Sequence, residues 1–187
     1  NIEISKKLID NSKEIGVDAV KFQTWITEEI VTKEAIKAEY QKENWGSNSF
    51  YDETKKLELS HQQYKELFDY AEKVGILCLS TPDDIKSLNY LVDECGMKAI
   101  KVGSGAVTDF RLMSEISKKA REKKIPILLS TGMCTLEEVE EVYKILSKGG
   151  NQVAIFHCTS NYPAKLENVN LLVMGTLGSI FDTVIGY

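Results

Sequence analysis

Ser60-His-Gln-Gln-Tyr-Lys-Glu-Leu-Phe-Asp-Tyr-Ala-Glu-Lys-Val-Gly75, followed directly by Ile76-Leu-Cys-Leu-Ser80-Thr-Pro82, decides the fold. The first part reads as an amphipathic helix from Ser60 to Lys73 with Ser60 as its N-cap. Gly75 then ends the helix, and Ile76–Ser80 is a short buried strand. The same order of elements repeats outward in both directions. Upstream, Ile4, Leu8 and Ile9 have helical spacing, Gly16 makes a turn, and Asp18-Ala-Val-Lys-Phe-Gln23 is a strand. Downstream, a helix near Asp84–Glu94 passes through Gly96 into the strand Lys98–Val102, and a helix at Phe110–Lys123 leads into Ile125–Ser130. Thr135 and Glu138 have capping-box spacing. The helix they open runs to Lys148, stops at Gly149-Gly150 and precedes the strand Val153–Phe156. A last helix near Leu171–Phe181 leads to Thr183–Gly186. Six short strands alternating with helices specify βαβ units, since parallel strands need such crossovers, and the fold class is α/β. Residues 24–59 alone lack a clear period and are expected to form a long irregular connection, a length usually associated with function.

The composition narrows the function classes. A chain of 187 residues, 43% hydrophobic, has the size of one domain, and no break in composition divides it. Its net charge of -5, with both signs interspersed, provides no nucleic-acid footprint and no basic membrane surface, so any bound anion must be met by local cations. Cys78, Cys95, Cys134 and Cys158 are widely separated, which suits a reducing cytoplasm without disulfides. The sequence has neither an 18-residue apolar run nor a signal-peptide pattern. Because it opens in mid-pattern without methionine, the chain is expected to be a fragment of a longer protein.

The strands end by passing directly into polar residues: Lys21-Phe-Gln23, Ser80-Thr-Pro82, Lys101-Val-Gly-Ser-Gly105, Ser130-Thr-Gly132 and His157-Cys-Thr-Ser-Asn-Tyr162. Ligands of parallel α/β folds bind at the carboxyl ends of strands, so these residues are the candidate site. Lys21 and Lys101 stand within or at the end of apolar strands, where an ammonium needs an anionic partner or a route to the rim, and they are the candidate anion-binding groups. Gly103-Ser104-Gly105 permits close backbone approach to a phosphate or carboxylate, although it matches neither the Walker nor the dinucleotide pattern. His157 follows a strand as a proton carrier, a metal ligand or a histidine satisfied by a carbonyl. His61 is read as a solvated residue of a first helical turn. Cys158 adjoins His157, but neighbours on a strand face opposite ways, which argues against a nucleophilic dyad.

These strand ends resemble the N-acetylneuraminate synthase family. The resemblance rests on Gly16-Val-Asp-Ala-Val-Lys-Phe-Gln-Thr24, Leu57-Glu-Leu-Ser60, Leu79-Ser-Thr-Pro82, Lys101-Val-Gly-Ser-Gly105, Leu129-Ser-Thr-Gly-Met133, His157-Cys-Thr-Ser-Asn-Tyr-Pro163, Glu167-Asn-Val-Asn170 and Ile185-Gly-Tyr187, in family order over nearly the whole chain. It implies a TIM (β/α)8 barrel, of which residues 1–187 would be the central part, about six of eight βα units. The first strand, the last strand and an antifreeze-like C-terminal domain would lie outside it. It also implies condensation of phosphoenolpyruvate with an N-acylated amino sugar such as N-acetylmannosamine, giving a nonulosonic acid and inorganic phosphate by C–O cleavage. The full-length enzyme is expected to be a cytoplasmic homodimer that uses divalent manganese or magnesium, and this segment alone to be inactive.

Carried onto this chain, the resemblance makes Lys21, Lys101 and Tyr162 the catalytic set and Gln23, Thr81, Ser104 and Ser160 the substrate-binding set. His157 becomes a metal ligand, with a second ligand expected just after Tyr187. Ala106 stands where the family usually carries an acidic residue near the sugar, which leaves the acceptor sugar open. Two other readings remain: a Schiff-base aldolase using a strand lysine, and a noncatalytic sugar-binding or assembly module.

Overall fold

The structure, a computed structural model, describes residues 1–37 and 49–187. The chain divides into two compact units, Asn1–Met97 and Lys98–Tyr187.

In the first unit, α1 (Ile2–Glu14) precedes β1 (Ala19–Thr24), and the short helices α2 (Thr27–Ile30) and α3 (Phe50–Leu57) follow. Next come α4 (His61–Val74), β2 (Leu77–Pro82) and α5 (Ile85–Asp93). Strands β1 and β2 pair in parallel from Ala19 opposite Leu77 to Thr24 opposite Pro82. The core is made by the apolar stripes of the helices: Ile9 of α1; Tyr64, Leu67, Phe68 and Ala71 of α4; and Leu88, Leu91 and Val92 of α5. The i, i+3, i+4, i+7 spacing on α4 is what makes one face of that helix apolar. The N-cap of α4 is Ser60 as expected, and with Gln63 it forms a full capping box. Gly75 ends the helix at φ 80°, a left-handed conformation that a side chain would strain, and its N–H returns to the Ala71 and Glu72 carbonyls.

Residues 24–59 differ from the expected irregular connection, since α2 and α3 lie within them; residues 38–48 of that stretch lie outside the described residues. Helix α3 is only 8 residues long, too short to display a period, and it is stabilised at its ends instead. Ser49 caps the Asp52 N–H, acidic Asp52 and Glu53 occupy the first turn, and Lys55 and Lys56 the last.

In the second unit, β3 (Ile100–Val102), a 3-10 turn at Ser104–Ala106, α6 (Phe110–Lys123), β4 (Ile127–Ser130), α7 (Leu136–Leu146), β5 (Val153–Phe156), α8 (Val173–Ile180) and β6 (Ile185–Gly186) follow in order. The four strands pair in parallel in sequence order, with Ile100 opposite Ile127, Ile127 opposite Val153 and Ile155 opposite Ile185. Ile100, Ile127, Leu129 and Ile155 are fully buried together with Met113, Ile116, Val142 and Leu146 from α6 and α7. The expected capping box of Thr135 and Glu138 is present. Several strands are shorter than the apolar runs that announced them. Pro126 has no N–H to donate, so β4 begins at Ile127, although the Pro126 carbonyl still accepts from the Ile100 N–H at 2.9 Å.

One side chain fastens the loop after β1 to the start of α5. Asp84 caps α5 by accepting from the Ser87 N–H at 2.8 Å and the Ser87 hydroxyl at 2.6 Å, and it also accepts from the Ile26 N–H at 2.9 Å. Asp84→Ala strands all three donors and is expected to cost about 2–3 kcal/mol in urea unfolding, beyond an ordinary cap, whereas Asp84→Asn retains part of it.

Candidate functional site

The residues singled out from the sequence fall in both units. Lys21, Gln23 and Thr81 belong to the first, and Lys101, Ser104, His157, Ser160 and Tyr162 to the second.

At the carboxyl ends of β1 and β2, Lys21 is opposite Leu79 and Gln23 opposite Thr81. Alternation along parallel strands puts these four side chains on one face. The other face carries Thr24 and Ser80, both fully buried and hydrogen-bonded to each other at 2.7 Å. Lys21 and Gln23 are exposed, while Thr81 is only 2% exposed. Although Lys21 keeps open surface along its length, the protein packed around its ammonium desolvates the charge and lowers its pKa, and the Asp83 carboxylate opposes that shift. Asp83 was not anticipated from the sequence. Its N–H donates to the Thr24 carbonyl at 2.9 Å, which extends the β1–β2 pairing by one step and returns its side chain to the face of Lys21 and Gln23. Burial raises its carboxyl to about 6; Lys21 draws it down, Asp84 pushes it up and a hydrogen bond with the Gln23 side chain lowers it. An acidic residue directly after Ser80-Thr-Pro82 was the available signal. Tyr64 of α4, whose hydroxyl donates to the Gln23 carbonyl, is pushed up to about 12 by burial and stays a neutral phenol.

At the carboxyl ends of β3, β4 and β5, Lys101 donates to the Val102 carbonyl at 3.1 Å and to the Ser130 hydroxyl, and its Nζ stands 5.6 Å from the centre of the Phe156 ring. These contacts fix where the Lys101 ammonium stands at the strand end. The Cys158 thiol also donates to Ser130, at 3.3 Å, which makes Ser130 a second residue not assigned from the sequence. The Gly132 N–H donates to the Ser104 hydroxyl at 2.8 Å. A Cβ on Gly132 would stand 2.4 Å from Ser160 Oγ and 2.9 Å from Ser104 Oγ, so glycine is what lets both hydroxyls close over this turn. Lys101, Ser104, Ser130 and Ser160 thus meet around the ends of adjacent strands. Tyr162 is 74% exposed on the following loop and stands outside this hydrogen-bonded group.

His157 is held by a backbone carbonyl, a contact made alike by a structural histidine and by one that offers its other ring nitrogen to a ligand. Its Nε2 is 2.7 Å from the Val169 carbonyl oxygen, which leaves only Nδ1 for another partner. Among the described residues no group of three or more His, Cys, Asp or Glu side chains could hold a metal ion. These residues do not by themselves fit a metal centre, and no chemical step is routed through one. His157 and Cys158 diverge as strand alternation requires, one to Val169 and the other to Ser130. His61, read from sequence as solvated, is half-buried. It stacks on Tyr90 with ring centres 4.5 Å apart and lies 3.4 Å from the Ser87 hydroxyl, because α4 packs against α5.

Residues 8–187 match the NeuB family. The chain belongs to the NeuB family. This agrees with the resemblance carried by the strand-end motifs. The NeuB chain is 38% identical over 193 residues to the N,N'-diacetyllegionaminic acid synthase of Legionella pneumophila, covering 100% of this chain and 53% of that protein. It is 35% identical over 190 residues to the human N-acetylneuraminate-9-phosphate synthase, covering 51% of it. The chain spans about half the length of the curated relatives it matches. Among solved structures, the N-acetylneuraminic acid (sialic acid) synthetase of Leptospira borgpetersenii, in complex with citrate, matches with a TM-score of 0.80 and 25% identity over 100% of this chain and 59% of that one. The fold class is α/β, built from parallel βα units of the (β/α)8 barrel kind.

Two substitutions test the local geometry. Gly132→Ala should lower the melting temperature by a few degrees, because the new methyl displaces the Ser104 and Ser160 hydroxyls and presses on the Cys158 carbonyl oxygen at 3.2 Å. Asp83 gives a pH signature. Its folded pKa of about 6 lies above the ordinary carboxylate value, so the stability tied to its proton is fully present below about pH 4 and lost as pH rises through 6. Asp83→Asn should therefore stabilise the protein by about 1–2 kcal/mol at pH 8, discounted for a half-buried group, with the gain vanishing near pH 4 in denaturant titrations.

Proposed function

We propose that the full-length protein condenses phosphoenolpyruvate with the open-chain aldehyde of an N-acylated amino sugar, forming a nonulosonic acid and inorganic phosphate. The single observation that carries this reading is Lys101, whose ammonium is fixed at the end of β3 by the Val102 carbonyl, the Ser130 hydroxyl and the Phe156 ring, in the same unit as the turn where the Ser104 and Ser160 hydroxyls approach Gly132. Phosphoenolpyruvate presents a phosphate and a carboxylate, and a protein of net charge -5 can meet them only with placed cations and hydroxyls. By the family resemblance, Lys21 and Thr81 in the first unit, and Lys101, Ser104 and Ser160 in the second, are the candidate cations and hydroxyl donors. Gln23, exposed beside Lys21, is assigned to the sugar.

In the reaction, the enol carbon of phosphoenolpyruvate attacks the aldehyde carbon of the sugar and a C–C bond forms. The carbonyl electrons pass to the aldehyde oxygen, which takes a proton; water adds to the cationic carbon left behind and loses a proton, and as the resulting hemiketal hydroxyl loses its proton and becomes the ketone the C–O bond breaks and phosphate leaves. The residues described bind and orient the two anionic ends and hold the attacking carbon in place, which is where much of the rate gain in bimolecular reactions originates. No described helix is long and apolar enough to cross a membrane. The acceptor is an N-acylated amino sugar; relatives of the chain are named for N-acetylneuraminate-9-phosphate and for N,N'-diacetyllegionaminic acid, and Ala106 stands where the family resemblance leads one to expect an acidic residue near the sugar. A Schiff-base aldolase needs an unprotonated lysine amine, and burial lowers the Lys21 pKa in that direction while the Asp83 carboxylate opposes the shift.

Phosphate release by the full-length protein should require phosphoenolpyruvate and an N-acylated amino sugar together; release without sugar dependence overturns the assignment. Lys101→Ala should lower phosphoenolpyruvate affinity roughly 30-fold or more, the usual loss of a charge-assisted contact of about 2–3 kcal/mol. Lys98→Ala, an exposed lysine before the other end of β3, should change affinity less than about twofold in the same calorimetric titration.

A further inference from the structure

We propose that Asp83 sets the protonation state in which the first unit accepts its anion: a substrate phosphate or carboxylate and the ionised Asp83 carboxylate compete for the Lys21 ammonium, so anion binding places a proton on Asp83. Naming phosphoenolpyruvate as that anion rests on the function proposed above, whereas the competition itself rests on the arrangement of the two strands. Lys21 and Gln23 alternate onto one face of β1, and their partners on β2 put Thr81 on the same face. The Asp83 N–H to Thr24 carbonyl bond at 2.9 Å carries that alternation one step further and returns Asp83 to the face of Thr81.

Among the described residues, the charged and hydrogen-bonding groups that face Asp83 are few. Lys21 and Gln23 come from β1, Tyr64 from α4, and Asp84 adjoins it in the chain. Of these, Lys21 is the only cation. Asp84 cannot take over the role, because its oxygens are occupied by Ile26 and Ser87 donors. Tyr64 spends its hydroxyl on the Gln23 carbonyl. Lys21 therefore balances either Asp83 or an incoming anion, and a second negative charge in the same partly desolvated space raises the cost of keeping Asp83 ionised. Once protonated, the Asp83 carboxyl ceases to repel the anion and gains an O–H that can donate to it. The proton comes from solvent, so no other reactant is needed. Its position near neutrality, about 6 before the anion arrives, makes the exchange inexpensive under ordinary conditions.

The test is calorimetric titration of the full-length protein with phosphoenolpyruvate, in buffers of contrasting ionisation enthalpy, for the wild type and Asp83→Asn. The phosphoenolpyruvate phosphate binds its own protons equally in both, so the difference isolates Asp83. The wild type should take up nearly one proton more than the variant near pH 7.5. Asp83→Asn should bind about 10- to 100-fold more tightly at pH 8, the range set by a carboxyl near 6, and the gap should close below pH 6. Equal proton counts and parallel affinity profiles overturn the inference. If the wild type does not bind phosphoenolpyruvate at all, the proposed function fails instead. The competition is then decided by the carbon-13 titration of the Asp83 carboxyl with and without inorganic phosphate: an upward shift supports it and an unmoved titration overturns it.

Discussion

Parallel pairing obliges neighbouring strands to release the chain at the same edge, and the polar groups that follow must be satisfied there without interrupting the helices that cover the strands. In the first unit this is accomplished by two faces with different tasks. Thr24 and Ser80 satisfy each other in the buried face. Lys21, Gln23 and Thr81 occupy the opposite face, and Asp83 follows them as the chain turns into α5. Asp84 closes that turn with three accepted hydrogen bonds, so the titratable neighbour at 83 is anchored by the nontransferable bonds of the residue beside it.

The two site lysines are kept in different electrostatic states. Lys21 is desolvated and partly compensated by Asp83, an arrangement sensitive to protonation. Lys101 is oriented by a carbonyl, a hydroxyl and an aromatic face. Gly132 gives the second unit its other requirement: room for the Ser104 and Ser160 hydroxyls to approach the backbone.

The α/β class, the strand positions and most helix ends were legible because they depend on local chemistry. Ser60, Gly75, Thr135 and Glu138 are capping residues whose effect is complete within one turn of chain, and they act in the structure as their spacing indicates. Helix α3 escaped because two turns held by Ser49 and end charges carry no readable period. Family motifs located Lys21, Gln23, Thr81, Lys101, Ser104 and Ser160 at strand ends. They did not indicate that Tyr162 would stand 74% exposed, nor that His157 would direct Nε2 at Val169, twelve residues along the chain.

What the sequence by itself determined is therefore the succession of βα units and which residues leave the strands at their carboxyl ends, since periodicity, capping and strand alternation are properties of neighbouring residues. Only the tertiary structure decided the partners. The register of β1 on β2 put Asp83 on the face of Lys21, the approach of β4 to β3 gave Lys101 its Ser130, and the packing of α4 on α5 turned His61 from a solvated residue into one stacked on Tyr90. Charge, burial and hydrogen bonding act through space between segments far apart in the chain. The state of a buried or half-buried polar group is set by whichever segment the fold brings beside it.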